Sequence, residues 1–167
     1  MNLSPDKIHI REMTTGDIPA VFDIDKRSAS LYWPESSYHF EVERNTASHP
    51  LVAADPNGAI LGFIVIWRIL DEAEIANFAV SPEHRNEGIG AALLREGLRI
   101  CSEEGAESAY LEVRAGNAPA IHLYEKTGFI PDGIRKNYYQ DNKEDAILMK
   151  LEITDRLSAN KKGKTNE

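Results

Sequence analysis

The sequence predicts an α/β domain with a mixed sheet that is antiparallel at first and parallel later. Three observations predict it: a β-hairpin signal at Asp55–Gly58, an amphipathic helix between two strand-like segments, and the order of strand and helix patterns. A helix between two strands is the usual crossover to a parallel neighbour. We therefore expect one domain over residues 1–153 and a polar, flexible tail over residues 154–167.

The first strand and two helices follow from local patterns. Residues 8–13 alternate apolar and polar side chains, which predicts a strand. Thr14 and Asp17 have the spacing of a capping box and predict a helix that ends near residue 29. Pro34 suits the first turn of a second helix, which we expect to end near residue 44.

From residue 51 onward, the spacing of apolar residues changes from that of helices to that of strands. Residues 51–54 and 59–69 flank Asp55-Pro56-Asn57-Gly58, where proline and glycine stand where a tight turn needs them. A further strand is expected over residues 74–80, and Ser81-Pro82 ends it.

The second half alternates helices and strands. Apolar residues between 88 and 103 lie on one helical face, and Gly105 follows as a left-handed cap. Residues 108–113 are strand-like, and a short helix runs from the cap Asn117 to Gly128. Strands over about 129–139 and 145–153 complete a set of about seven strands and about four helices.

Composition excludes several classes of function. The 19 basic and 27 acidic residues give a net charge of −8, which argues against direct nucleic-acid binding. The single cysteine, Cys101, cannot form an intramolecular disulfide, and its place on an apolar helical face predicts a core residue. The five histidines lack a ligand spacing, so no metal site is predicted. No apolar run reaches the ~18 residues of a membrane span, and we expect a cytoplasmic protein.

The most informative stretch runs from a strand into a helix through two glycines, Gly88 and Gly90, next to Arg85. Free N–H groups and the dipole at a helix N-terminus attract anions, and the arrangement suits a pyrophosphate. Leu93 stands where a dinucleotide fingerprint needs its third glycine, and no P-loop lysine follows. Alternatively, the two glycines bind no anion and serve only to turn the chain into the helix.

Arg85-x-x-Gly88-x-Gly90 after a strand resembles the acyl-CoA signature of the GNAT superfamily of N-acyltransferases. Over about residues 8–151 the chain resembles one branch, the bacterial ribosomal-protein-alanine N-acetyltransferases. The supporting segments are Tyr32-Trp33, Leu70–Glu74, Leu111–Asn117, Ala120, Leu123-Tyr124, Gly128-Phe129, Arg135–Tyr139 and Glu144–Ala146. Gly116 departs from the serine of many members, and we expect it to loosen its turn.

The resemblance implies a GNAT-type fold and acetyl-CoA as acyl donor. The residues that it assigns to the donor are Phe78, Ala79, Val80, Arg85, Asn86, Glu87, Gly88, Ile89, Gly90 and Asn117. Backbone N–H groups near Phe78–Val80 would hold the acyl carbonyl and pantetheine. Asn117 would otherwise be only a helix cap.

The resemblance also assigns Glu112 as general base and Tyr124 as the acid that protonates the leaving thiolate. Alternation along the strand predicts Glu112 simply as an outward residue, and helical spacing predicts Tyr124 as a core ring. An α-amine titrates near ~8 against ~10.4 for lysine, so a modest base suffices for a chain terminus.

The resulting hypothesis is acetyl transfer to an N-terminal α-amine, that of an alanine on a ribosomal protein. A same-fold acetyltransferase of a small amine or amino acid, and a non-catalytic acyl-CoA-binding module, stay open as alternatives. Arg135-Lys136 with Tyr138-Tyr139 resembles an RNA-stacking surface, but the net charge of −8 favours a border of the substrate cleft. The acceptor, the acyl length and the oligomeric state are left open.

Overall fold

A seven-stranded sheet with four α-helices forms the part of the chain that the structure, a computed structural model, describes (residues 5–153). The strands are β1 (His9–Glu12), β2 (Ser48–Ala54), β3 (Ile60–Ile69), β4 (Glu72–Val80), β5 (Ser108–Arg114), β6 (Ile130–Arg135) and β7 (Ala146–Glu152). The helices are α1 (Ile18–Ser28), α2 (Glu35–Glu43), α3 (Ile89–Glu103) and α4 (Ala118–Thr127). The strand order is β1-β2-β3-β4-β5-β7-β6.

The described residues divide into two compact units. Unit 1 contains residues 5–67 and 75–97, and unit 2 contains residues 68–74 and 98–153. Both β4 and α3 begin in one unit and end in the other, so each unit is a spatial cluster and not a continuous chain segment.

In unit 1, the central strand β3 is covered on both faces, which explains its apolar run. Phe63 and Val65 belong to one core cluster with Ile18 and Val21 of α1 and Tyr38 of α2. On the other face, a Cβ added at Gly97 of α3 would lie 3.2 Å from the side chain of Ile66. Because successive strand residues point to opposite faces, a strand covered twice must be apolar throughout.

Polar contacts fix the 3-10 turn Thr15–Asp17 that leads into α1, and the sequence predicts one of them, the capping box. The side chain of Asp17 accepts the N–H of Thr14 at 2.8 Å, as a capping box requires. Arg11 of β1 forms an ion pair with the same carboxylate, with nitrogen–oxygen distances of 2.7 and 2.9 Å. Together these bonds lower the pKa of Asp17 to about 2, the Arg11 hydrogen bond contributing most.

In unit 2, β5 runs parallel to the start of β4 and antiparallel to β7. Glu72–Glu74 pair with Ser108–Tyr110, and Glu112 of β5 lies opposite Leu148 of β7. Along β5 the side chains of Ala109, Leu111 and Val113 are buried, and Glu112 between them points outward. The sequence-predicted alternation of β5 is therefore confirmed.

The element order, the parallel pairing at the crossover and the capped ends of α4 agree with the sequence prediction. Gly128 has a φ of +116° and closes α4 in the left-handed conformation. The predicted strand over 129–139 is wrong in its second half, because β6 ends at Arg135 and Asn137 has a φ of +54°. A left-handed residue cannot continue an extended strand. The predicted tail, residues 154–167, lies outside the described residues.

Candidate active site

The glycine loop of unit 1 connects the end of β4 to α3. After Val80 a 3-10 turn, Pro82–His84, leads into Arg85, and Gly88 then adopts a φ of +83° before α3 begins at Ile89. A Cβ at Gly88 would have no protein atom within 4 Å, so the space beside this backbone is open. Glycine is thus needed here for its conformation, and it leaves the helix N-terminus accessible to an anion.

Some side chains of this loop are exposed to solvent, and others are buried or held by contacts with their neighbours. Arg85 and Asn86 are exposed, and Asn86 has a φ of +63°. Ile89 is buried and anchors the first turn of α3 in the core. A nitrogen of His84 lies 3.1 Å from the Glu87 carboxylate, which holds Glu87 against the loop. Only the exposed arginine therefore brings a positive side chain to the helix N-terminus from within the signature.

Gly62 of β3 permits the close packing that supports the loop. A Cβ at this position would lie 3.0 Å from the carbonyl oxygen of Ala79 and 3.2 Å from Leu93 of α3. The N–H of Ser81 also donates to the carbonyl of Leu61 at 2.8 Å. The end of β4 and the first turns of α3 are therefore held closely against β3.

Phe78, Ala79 and Val80 form the last residues of β4. The N–H of Phe78 donates to the side-chain oxygen of Asn77 at 2.9 Å. A direct bond from that N–H to an acyl group would therefore require this acceptor to be exchanged. The carbonyl of Ala79 faces the Gly62 position of β3.

In unit 2, Glu112 lies in a cluster of charged and phenolic side chains. Its carboxylate is 3.6 Å from a guanidinium nitrogen of Arg135, and the side chain of Glu112 is 30 % exposed. The interaction of the Tyr138 hydroxyl with the same carboxylate is the main cause of the raised pKa of Tyr138. Glu112 is thus solvent-accessible, close to a cation and in electrostatic interaction with a phenol.

A second carboxylate, Glu74, belongs to the same cluster. Burial is the largest cause of its raised pKa, followed by the negative charges of Glu112 and Glu72, with Arg135 opposing them. Glu74 is not among the site residues predicted from the sequence. The alternation of Glu72, buried Ala73 and Glu74 indicates that both carboxylates lie on the same face of β4. Only the parallel pairing of β4 with β5 places them next to the strand that carries Glu112.

Tyr124 on α4 has a buried ring that contacts Phe129 edge to face, with centroids 5.8 Å apart. Burial raises the pKa of Tyr124, so its hydroxyl stays protonated at neutral pH. Tyr139 interacts electrostatically with both Tyr124 and Glu112. The core role predicted from helical spacing is confirmed, and the raised pKa keeps the hydroxyl protonated while making it a weaker acid than an exposed phenol.

Asn117 caps α4, and its side-chain oxygen accepts the N–H of Ala120 at 3.3 Å. The neighbouring turn is fastened to the segment after β6. The N–H of Gly116 donates to the Glu144 carboxylate at 2.6 Å, and a Cβ at Gly116 would lie 2.6 Å from the same oxygen. The expectation that glycine loosens this turn is therefore wrong, because the missing side chain lets the carboxylate bind the backbone.

Arg114, at the end of β5, holds the same segment in place. Its guanidinium forms two 3.0 Å bonds to the Asp141 carboxylate and lies 3.9 Å from the centroid of the Tyr139 ring. These contacts fix Tyr139 and its neighbour Tyr138, whose ring centroids are 5.2 Å apart. The segment Arg135–Tyr139, whose sequence resembles an RNA-stacking surface, therefore borders the Glu112 cluster and is held in place by Arg114.

The single cysteine lies in the core of the described residues. Cys101 is fully buried, and burial raises the pKa of its thiol to about 12, which does not favour a nucleophile. Residues 5–153 contain no group of three or more histidine, cysteine or carboxylate side chains placed to hold a metal ion. Within the same range, every helix is too short or too polar to cross a membrane.

Known proteins share the sequence and fold of this chain. Residues 18–129 match the Acetyltransferase (GNAT) family. The [ribosomal protein bS18]-alanine N-acetyltransferase of Escherichia coli strain K12 is 37 % identical, with 87 % of this chain and 97 % of that protein covered. The protein of the same name from Haemophilus influenzae is 40 % identical, with 84 % and 95 % covered. The crystal structure of the Escherichia coli ribosomal-protein-S18-alanine N-acetyltransferase superposes with a TM-score of 0.80 at 36 % identity, covering 87 % of this chain and 94 % of that chain.

Proposed function

Because this chain belongs to the GNAT family of acetyltransferases, we propose that it transfers the acetyl group of acetyl-CoA to the N-terminal α-amine of a ribosomal protein that begins with alanine. The observation that supports this acceptor best is the identity of 37–40 % to relatives named for that activity, over 84 % or more of this chain. The reaction would take place in the cytoplasm, where ribosomal proteins are made and modified.

Donor binding is assigned to unit 1. The N–H groups at the start of α3, with Gly88 and Gly90 between them and Arg85 beside them, bind the pyrophosphate of acetyl-CoA. The open space at Gly88 and the exposed guanidinium support this assignment. The backbone of Phe78–Val80 holds the acyl carbonyl and the pantetheine arm, and it stabilises the oxyanion that forms there.

Proton transfer is assigned to unit 2. Glu112 accepts the proton of the α-ammonium group, directly or through water, and the amine nitrogen then attacks the thioester carbonyl carbon. When the carbon–sulfur bond of the tetrahedral intermediate breaks, Tyr124 gives its proton to the thiolate. The acetylated nitrogen loses its extra proton, which restores the Tyr124 hydroxyl through solvent, and Glu112 releases the proton that it accepted to solvent. Tyr124 is protonated at neutral pH, and Glu112 is accessible, which supports both roles.

The acceptor class is tested with a synthetic peptide that carries the N-terminal sequence of a ribosomal protein, beginning with alanine. The control peptide has the same sequence with a blocked N-terminus and an internal lysine. We expect release of the CoA thiol only with the free α-amine, and mass spectrometry should place the acetyl group on the first residue. Turnover with spermidine or free amino acids, but not with the peptide, would favour the small-amine alternative.

A further inference from the structure

A buried carboxylate in unit 1 has a hydrogen-bond network that the reaction above does not use. Asp25 of α1 is 2 % exposed. One of its oxygens accepts the N–H of Trp33 at 3.1 Å, a side-chain N–H of Asn77 at 3.0 Å, and the hydroxyl of Tyr38. A buried charge is costly unless it is hydrogen-bonded, and these donors supply that compensation.

Asn77 connects this carboxylate to the backbone of β4. Its side-chain nitrogen also lies 2.8 Å from the hydroxyl oxygen of Tyr38, so its donors face Asp25 and Tyr38. The side-chain oxygen therefore faces the other way and accepts the N–H of Phe78 at 2.9 Å. A reversed amide would place its oxygen against the carboxylate and lose the bond to Phe78.

Tyr38 fixes the network to the core. Its ring is fully buried and contacts Phe63 and Trp33, with centroids 5.6 and 5.5 Å away. Burial and the Asp25 carboxylate both raise the pKa of Tyr38, so the hydroxyl remains a donor at neutral pH. The position of Asn77 is thus determined by a rigid aromatic core and a buried charge.

We propose that Asn77 is a positioning residue for acetyl transfer: held by Asp25 and Tyr38, its side chain fixes the backbone of Phe78–Val80 for the acyl group of the donor. The inference rests on the proposed function, which assigns the acyl group to this backbone. A displacement of about 1 Å at a reacting group can slow a reaction about 100-fold. A strand end fixed by a side-chain amide keeps such displacements small.

Two variants disrupt the network without changing the charge: Tyr38→Phe deletes one donor to Asp25 and nearly keeps the side-chain volume, and Asn77→Ala removes the amide that bridges to Phe78. Trp67→Phe is the matched control. Trp67 donates to another buried carboxylate, Glu41 of α2, at 2.9 Å, and Glu41 is 5 % exposed. This control removes a donor from a buried carboxylate in unit 1; among the described residues the indole N–H of Trp67 donates to Glu41 and not to β4.

We expect both network variants to lower kcat about 10- to 100-fold and to leave the Kd for CoA within about twofold of wild type. Trp67→Phe should lower the melting temperature by about as much as the two network variants do, but it should retain wild-type kcat. Hydrogen exchange of the Phe78 amide should accelerate in Asn77→Ala and not in Trp67→Phe.

Equal kcat values in all three variants would overturn the proposal, as would a loss of kcat in Trp67→Phe as large as in Tyr38→Phe. Failure of the proposed function is recognised separately, because wild type itself would then acetylate no α-amine. In that case the exchange measurement still decides, since it needs no acceptor. Unchanged protection of the Phe78 amide in Asn77→Ala would show that the side chain does not fix this backbone.

Discussion

The glycine loop of unit 1 is formed mainly by backbone groups, whereas the Glu112 cluster of unit 2 is formed by side chains. The loop offers backbone N–H groups, a left-handed glycine and one exposed arginine. The cluster consists of side chains: two carboxylates, a guanidinium and two phenols within electrostatic range of one another. Binding a diphosphate needs geometry, which backbone supplies, whereas moving protons needs groups that titrate.

The largest effect that separates the two regions is expected for Glu112→Gln. Loss of the base should lower kcat about 100- to 10,000-fold, because general-base catalysis contributes about that much. The Kd for acetyl-CoA should not change, since the proposed partner of Glu112 is the acceptor amine and not the donor. Stopped-flow or endpoint thiol assays and calorimetry measure the two quantities. Glu152→Gln, an exposed carboxylate of β7, is the control, and wild-type kcat in Glu112→Gln would refute the role of base.

A smaller loss of turnover is expected for Tyr124→Phe, which keeps the ring in the core and removes the proton donor. We expect kcat to fall about 10- to 100-fold, with release of the thiol slowed, because water can replace the acid in part. Tyr110→Phe on β5 serves as the matched control. A donor with a more acidic thiol should restore much of the rate in Tyr124→Phe, and the absence of such a rescue would argue against protonation of the thiolate by this residue.

The backbone-built region is tested by Gly88→Ala. Left-handed backbone costs an L-residue about 1–2 kcal/mol, and the methyl group would stand where the donor approaches. We expect the Kd for CoA to rise about 10-fold or more, which corresponds to about 1.4 kcal/mol. Gly58→Ala is an unusually close control: its φ is +86° against +83° at Gly88, and neither Cβ meets a protein atom within 4 Å. Equal CoA affinity in the two variants would remove Gly88 from the donor site.

The last comparison concerns stability and expects no effect on activity: it tests whether the charge of Asp17 in unit 1 serves only the fold. The pKa of Asp17 is lowered to about 2 in the folded protein, against an ordinary value of 3.8. Its stabilisation, about 2 kcal/mol, is therefore complete above pH ~4 and is lost as the pH falls towards ~2. Urea unfolding of wild type and Asp17→Asn should show a gap in unfolding free energy that closes over this range. A constant gap would contradict the assignment, and kcat at pH 7 should be alike in both.

The sequence alone determined the order of the elements and the glycine loop, because these depend on residue spacing within a few turns. Periods of two and of three to four residues encode which faces are buried. Gly58, Gly88 and Gly128 mark left-handed positions that other residues adopt at a cost. The capping box of Thr14 and Asp17 is equally local.

Only the tertiary structure decided which polar side chains meet. Asn77 and Asp25 are 52 residues apart, Gly116 and Glu144 are 28 apart, and Glu74 reaches the Glu112 cluster through the pairing of β4 with β5. The early end of β6 likewise depends on Asn137 and on its bond to Asp145. No local period encodes such bonds, because they form only after hydrophobic packing has brought distant segments within 3 Å of each other.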